Sequence, residues 1–136
     1  MNYLSIKKTI KASLFILTFF ATSFTTLSAQ SKASDVTIIE LNQTVGQFET
    51  QKLNLTPGKY QFRVVNVDVD KEVGFVIQKS SDKNNDVMKT AVANSFTSST
   101  VKKGAHAYTG VVDLTEGSYV YSCPLNPTPH YTINVK

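Results

Sequence analysis

The fold is decided by the C-terminal stretch YVYSCPLNPTPHY, which covers residues 119–131 of the 136-residue chain. It begins with a short apolar strand that ends at Cys123, the only cysteine in the sequence. A loop with three prolines follows, and His130 then opens the last strand. Because proline fixes φ and removes a backbone donor, this loop is stiff. The stretch therefore predicts a β domain that holds one thiol and one imidazole at the same end.

Upstream of this stretch, apolar residues recur at every second position in short runs that are separated by turns. Tyr60, Phe62 and Val64 are one such run, typical of a half-buried strand, and the turn signature Thr56-Pro57-Gly58-Lys59 precedes them. The predicted strands cover residues 36–40, 48–55, 60–65, 73–77, 96–101, 107–114, 118–123 and 131–135, and residues 86–94 have the apolar spacing of a short helix. About eight short strands with at most one short helix predict an all-β fold, an antiparallel Greek-key β-sandwich.

One predicted hairpin bears on the candidate site. The segments 107–114 and 118–123 flank Thr115-Glu116-Gly117, which has glycine where a tight turn tolerates a left-handed φ. Pairing outward from this turn would set Cys123 near Thr109. His106 would then lie three residues further, toward the same end of the domain.

The N-terminus has the features of an export signal. Three lysines precede an apolar run, and Leu27-Ser28-Ala29 fits a small-residue cleavage site. We predict a signal peptide at residues 1–29, a linker at 30–34 and a single domain at 35–136. The apolar run is short for a membrane span, although an uncleaved anchor is the alternative. Cleavage would leave an exported protein, periplasmic or secreted, with no membrane span.

The charge balance argues against a nucleic-acid partner. Three of the 14 basic residues and none of the 10 acidic residues lie in positions 1–29, which leaves 11 basic side chains against 10 acidic ones. The remaining lysines are scattered, and no basic stripe of the kind that binds nucleic acid is present in the sequence.

Cys123 is informative because it has no cysteine partner in the chain. In an oxidising compartment a lone thiol is buried, bound to something, or available for pairing with another chain. Alternation places Cys123 on the same face as Tyr119 and Tyr121, so we expect it to point inward. A soft thiolate together with an imidazole suits a mononuclear copper site, and a buried thiol that packs as a small apolar residue is the alternative.

The sequence resembles the cupredoxins, the small exported blue-copper domains, over roughly residues 36–136. The resemblance is carried by LTEGSYVYSCP at residues 114–124, by His130 with YTINVK at 131–136, and by TPGKY with FRVVN at 56–60 and 62–66. It implies a cupredoxin-like sandwich. In this family two histidines and a cysteine hold the copper, usually with a weak axial methionine.

The resemblance also implies where each ligand position falls. Cys123 corresponds to the family cysteine, and Val73 stands where the first histidine is expected. Asn126 stands near the second histidine of a short-loop cupredoxin. His130 lies near the place of the axial methionine, or is the second histidine on a longer loop. His106 is a replacement candidate for the missing imidazole, with a solvated loop residue as its alternative.

Two functions follow from these expectations. The first is atypical copper binding, for copper handling or electron transfer, with Cys123 and His130 as ligands and His106 or a partner protein completing the shell. It implies copper as cofactor and a redox or copper-trafficking protein as partner. The second is a metal-free binding or interaction module that uses its proline-rich end. No nucleophile triad, phosphate loop or zinc-hydrolase motif is recognisable, so we expect no enzyme, and we expect a monomer.

Overall fold

The computed structural model describes residues 35–136. The predicted signal peptide and linker lie outside the described residues. Within the described part, no helix has both the length and the apolar character needed to cross a membrane.

Residues 35–136 form two sheets that face each other, with nine strands and one short helix among them. In chain order the elements are β1 (Val36–Thr44), β2 (Gln47–Phe48), β3 (Lys52–Leu55), β4 (Gly58–Asn66), β5 (Val76–Lys79), a 3-10 turn (Ser80–Asp82), α1 (Val87–Thr90), β6 (His106–Tyr108), β7 (Val112–Leu114), β8 (Gly117–Ser122) and β9 (Tyr131–Val135). The first sheet has the order β2-β1-β4-β6, with β7 also paired to β4, and the second has the order β3-β9-β8-β5. The predicted all-β sandwich with one short helix is confirmed.

Alternation explains how the sheets close on a common core. On β4 the side chains of Tyr60, Phe62 and Val64 are buried while those between them are only half-buried. Phe48, Phe75 and Tyr121 come from other strands and loops of both sheets and pack with their ring centroids 5.2–6.0 Å apart. Mainly edge-to-face contacts of this kind are favourable for aromatic rings. The interior between the sheets is therefore an aromatic core.

Two strand pairings differ from the antiparallel prediction. β1 runs parallel to β4 over eight residue pairs, and β3 runs parallel to β9 over four. Parallel neighbours cannot be joined by a tight turn, so β1 and β4 are connected through β2 and β3. Local alternation gives the strands but carries no information on these non-local partners.

The predicted hairpin around Thr115-Glu116-Gly117 is wrong, because β7 lies in the first sheet and β8 in the second. The chain crosses between sheets here, and the Tyr119 hydroxyl donates to the carbonyl of Thr115 at 3.0 Å. The chain crosses in the same way between β3 and β4, where the Tyr60 hydroxyl donates to the carbonyl of Thr56 at 2.6 Å. Both corners have the sequence T-x-G-x-Y, and the tyrosine bond to the backbone fixes each one.

Candidate functional site

Three segments meet at one end of the sandwich, which we call the loop end. They are residues 43–46, which cover the end of β1 and the turn after it, residues 66–75 before β5, and residues 123–130 between β8 and β9. Asn66 organises the second segment, since its side-chain amide donates to the carbonyls of Val69, Lys71 and Val101 at 3.0–3.1 Å. Val73 and Val101 then exchange backbone hydrogen bonds of 3.0 and 2.8 Å. The loop end is thus held by backbone and amide contacts.

Cys123 lies in the interior of the loop end, only 2% exposed, as its alternation with Tyr119 and Tyr121 predicts. Its Sγ accepts hydrogen bonds from the backbone N–H of Gly74 at 3.2 Å and of Asn126 at 3.1 Å. Its own N–H donates to Thr128 Oγ1 at 3.1 Å. The sulfur therefore has two fixed donors from two different segments.

Asn126 is buried as well, and its side chain is fully engaged. Its Nδ2 donates to Gln43 Oε1 at 3.0 Å and to the carbonyl of Thr44 at 3.1 Å. Its Oδ1 accepts from the N–H of Gly46 at 3.2 Å. Three hydrogen bonds to residues 43–46 use most of what one carboxamide can offer.

Gln43 completes a closed cycle of hydrogen bonds. It is fully buried, and its Nε2 donates to the carbonyl of Gly74 at 3.1 Å while its Oε1 accepts from Asn126. Hydrogen bonds thus link Gln43 with Gly74 and Gly74 with Cys123. Asn126 closes the cycle, since it donates both to the sulfur of Cys123 and to Gln43. We call these four residues the amide ring. It joins all three segments of the loop end.

The two histidines are on the surface. His130 is exposed directly after Pro129, at the end of the loop that begins at Cys123. His106 is exposed on β6, which pairs with β4 opposite Val65, and its ring contacts Tyr108 at a centroid distance of 5.7 Å. The hairpin register that set His106 near Cys123 does not exist, so the ligand role of His106 stays a prediction without that support.

A mononuclear copper site of the cupredoxin kind does not fit these residues. Val73 is fully buried and has no lone pair to offer, and the amide of Asn126 is committed to β1. Within residues 35–136, no three side chains of His, Cys, Asp or Glu come together closely enough to hold a metal ion. The two residues that the resemblance sets at the histidine positions of a short-loop cupredoxin therefore supply no imidazole, and the ligand roles of Cys123 and His130 stay predictions.

The acidic loop at this end is engaged in surface pairs. Asp70 accepts from Lys103 Nζ at 2.6 Å, which lowers the pKa of the carboxyl and raises the pKa of the ammonium. Glu72 accepts a hydrogen bond from the Thr100 hydroxyl. These carboxylates face solvent and belong to the rim of the loop end.

A shallow depression of about 260 Å³ lies beside Cys123 on the outer surface. Met88, Phe96 and Leu125 are 75%, 37% and 46% exposed there, which is unusual for large apolar side chains. The lining residues are all uncharged: Gly74, Phe75, Met88, Phe96, Thr97, Ser99, Thr100, Pro124 and Leu125. Phe96 was expected in a strand over residues 96–101, whereas the structure has no strand at this residue.

Sequence reasoning missed Gln43 and the role of Asn126. Gln43 follows Leu41 at the next inward position of β1, and a polar residue at a core position is a signal for a buried hydrogen-bond partner. That signal identifies Gln43 as a residue with a specific role but does not name its partner 83 positions away.

Comparison with solved structures identifies the fold. No protein-family model and no curated protein matches the chain. Among solved structures, auracyanin A, a "blue" copper protein from Chloroflexus aurantiacus, aligns with a TM-score of 0.59 at 12% identity, over 75% of this chain and all of that one. Reduced auracyanin from Roseiflexus castenholzii aligns with a TM-score of 0.55 at 13% identity, over 76% of this chain and 99% of that one. The protein therefore has a cupredoxin-like fold.

Proposed function

We propose that the protein is an exported binding module with a cupredoxin-like fold that works without a copper centre. The observation that carries this proposal is the side chain of Asn126, which the resemblance sets near a ligand position and which three hydrogen bonds tie to residues 43–46. A side chain held in this way is part of the structural frame. Export rests on the predicted signal at residues 1–29.

The partner surface that we propose is the depression formed by Met88, Phe96, Pro124 and Leu125, here called the docking surface. Its volume of about 260 Å³ is below that of most cofactor pockets and suits one large side chain. Its uncharged lining favours an aromatic or aliphatic group, and a flexible methionine adapts to such groups. The expected partner is a protein segment that presents an exposed apolar side chain.

An interaction test with a matched control decides this proposal. The mature domain is immobilised, captured proteins are purified, and each is measured against the variants Leu125→Asp and Ile38→Asp. Both positions are exposed and apolar, at 46% and 58%, but Ile38 lies on β1, away from the docking surface. We expect Leu125→Asp to weaken binding at least about tenfold, the equivalent of about 1.4 kcal/mol, and Ile38→Asp to leave it unchanged. Equal binding by both variants would contradict the docking surface.

The second candidate function is copper binding through Cys123 and His130, for copper handling or electron transfer. The observation that favours it is the buried sulfur with its two N–H donors, since hydrogen bonds to a cysteine sulfur are one of the features that tune copper sites. It requires His130 or a partner protein to supply the remaining donors. It predicts an equimolar copper complex whose visible absorption disappears in Cys123→Ser.

A further inference from the structure

The amide ring joins the two segments that would carry copper ligands in a cupredoxin, residues 66–75 and 123–130, and ties both to residues 43–46. Gln43 is at the end of β1 and Gly46 is in the turn after it, Gly74 directly follows Val73, and the last loop supplies Cys123 and Asn126. Every link of the ring is a hydrogen bond between 3.0 and 3.2 Å. A bound metal would tie such segments together through its ligands, and here hydrogen bonds make the connection.

We propose that the amide ring replaces a metal ion as the cross-link of the loop end, and that Val73 and Asn126 are the two residues that exclude copper from it. This inference rests on the proposed copper-free function. The sulfur of Cys123, the one thiolate that copper would need, is already fixed by hydrogen bonds from the N–H groups of Gly74 and Asn126. Compared with the copper-ligand set of a cupredoxin, this site lacks the two imidazoles, which would stand at positions 73 and 126.

The cross-linking role can be tested without any metal. Asn126→Leu would leave Gln43 Oε1 and the Gly46 N–H without their partner, and Gln43→Leu would do the same to the Gly74 carbonyl. Since buried polar groups without partners are costly, we expect each change to lower Tm by about 5–15 °C. Asn134→Leu is the control, because the side chain of Asn134 donates to the exposed amide of Asn54 and leaves no buried group without a partner when it is removed.

The ring also predicts coupling between its members. Once Asn126 is replaced, Gln43 has already lost one of its two ring bonds, so removing it does less further damage. We therefore expect the Tm loss of the double Gln43→Leu/Asn126→Leu variant to be clearly smaller than the sum of the two single losses. Additive losses, or a control loss as large as that of Asn126→Leu, would overturn the cross-linking role.

Exclusion of copper is tested by restoring imidazoles. The variant Val73→His/Asn126→His is titrated with Cu(II), and we expect equimolar binding with intense visible absorption from thiolate-to-copper charge transfer. The absorption should be lost when Cys123→Ser is added. The matched control Val73→Leu/Asn126→Leu breaks the same hydrogen bonds without offering imidazoles and should bind no copper.

The outcomes separate this inference from the proposed function. A folded histidine variant that binds no copper, while the natural chain also binds none, overturns the exclusion by Val73 and Asn126 and leaves the proposed function standing. Copper binding by the natural chain itself overturns the proposed function. Circular dichroism shows whether the histidine variant folds. The Tm comparison of the single and double variants of Gln43 and Asn126 tests the cross-linking role in either case.

Discussion

The aromatic core and the amide ring are both buried, but they hold the molecule together by different means. Phe48, Phe75 and Tyr121 contribute apolar area, which stabilises without demanding a fixed direction. Gln43 and Asn126 contribute directed hydrogen bonds, in which each group depends on one partner. We therefore expect substitutions in the core to cost stability through lost apolar burial, and substitutions in the ring to cost stability through polar groups left without partners.

The largest effect is expected in the aromatic core. Phe48 is fully buried and lies 5.2 Å from Tyr121 and 6.0 Å from Phe75 between ring centroids. Phe48→Ala should lower the free energy of unfolding by about 3–5 kcal/mol, because burial and packing are lost together. Denaturant unfolding measures it. The same change at Phe96, which is 37% exposed, should cost about 1 kcal/mol or less. Equal losses would mean that the core is not the dominant source of stability.

A smaller effect is expected for the sulfur in the ring. Cys123→Ala removes the acceptor of the Gly74 and Asn126 N–H groups, and we expect a loss of about 2–3 kcal/mol in unfolding free energy. Cys123→Ser keeps an acceptor in nearly the same place and should cost only about 1 kcal/mol. If both variants lose the same stability in urea unfolding, the sulfur acts by volume alone and the ring does not close through it.

Alkaline pH provides a third test, directed at the core. Burial, and to a lesser extent the neighbouring Tyr131, raise the pKa of Tyr121 far above its ordinary value of 10.0. In the unfolded chain Tyr121 ionises near pH 10, so its contribution to stability is complete below that pH and declines above it. Relative to Tyr121→Phe, the natural protein should lose about 1 kcal/mol by pH 11. Parallel pH profiles would show that Tyr121 ionises freely in the folded state.

The smallest effect is expected at the rim. Lys103 holds the pKa of the Asp70 carboxyl below its usual value. The pair therefore stabilises the fold at pH values above the ordinary pKa of an aspartate, and this contribution is lost as the pH falls and Asp70 is protonated. Both side chains are solvent-exposed, and salt screens such pairs. Asp70→Asn should change Tm only slightly at low salt and not measurably at high salt. A large decrease in Tm that does not depend on salt would show that the Asp70–Lys103 pair also cross-links the loop end, in addition to the amide ring.

The sequence predicted the parts of this structure that depend on local alternation. The sandwich, the strands around Tyr60 and Tyr131, and the inward direction of Cys123 follow from the two-residue period of a strand. The helix predicted over residues 86–94 is present but spans only Val87–Thr90, since Asp86 caps its start and no apolar face extends it.

What escaped prediction depends on contacts between distant residues. A glycine turn such as Thr115-Glu116-Gly117 is compatible with a hairpin and with a crossover between sheets. The crossover is fixed by the hydrogen bond from the Tyr119 hydroxyl to Thr115, as the Tyr60 hydroxyl fixes the other corner. The parallel partners of β1 and β3, and the pairing of Gln43 with Asn126, have no local signature. The copper expectation started from Cys123 and His130, which the sequence sets seven positions apart but which differ in burial.

A copper titration of the natural mature domain decides whether the loop end works without a metal. The domain is titrated with Cu(I) under reducing conditions and with Cu(II), and is followed by calorimetry and visible absorption, with Cys123→Ser alongside. We expect no stoichiometric binding in either oxidation state and identical traces for the two proteins. One copper per chain with an absorption band that Cys123→Ser removes would contradict this expectation.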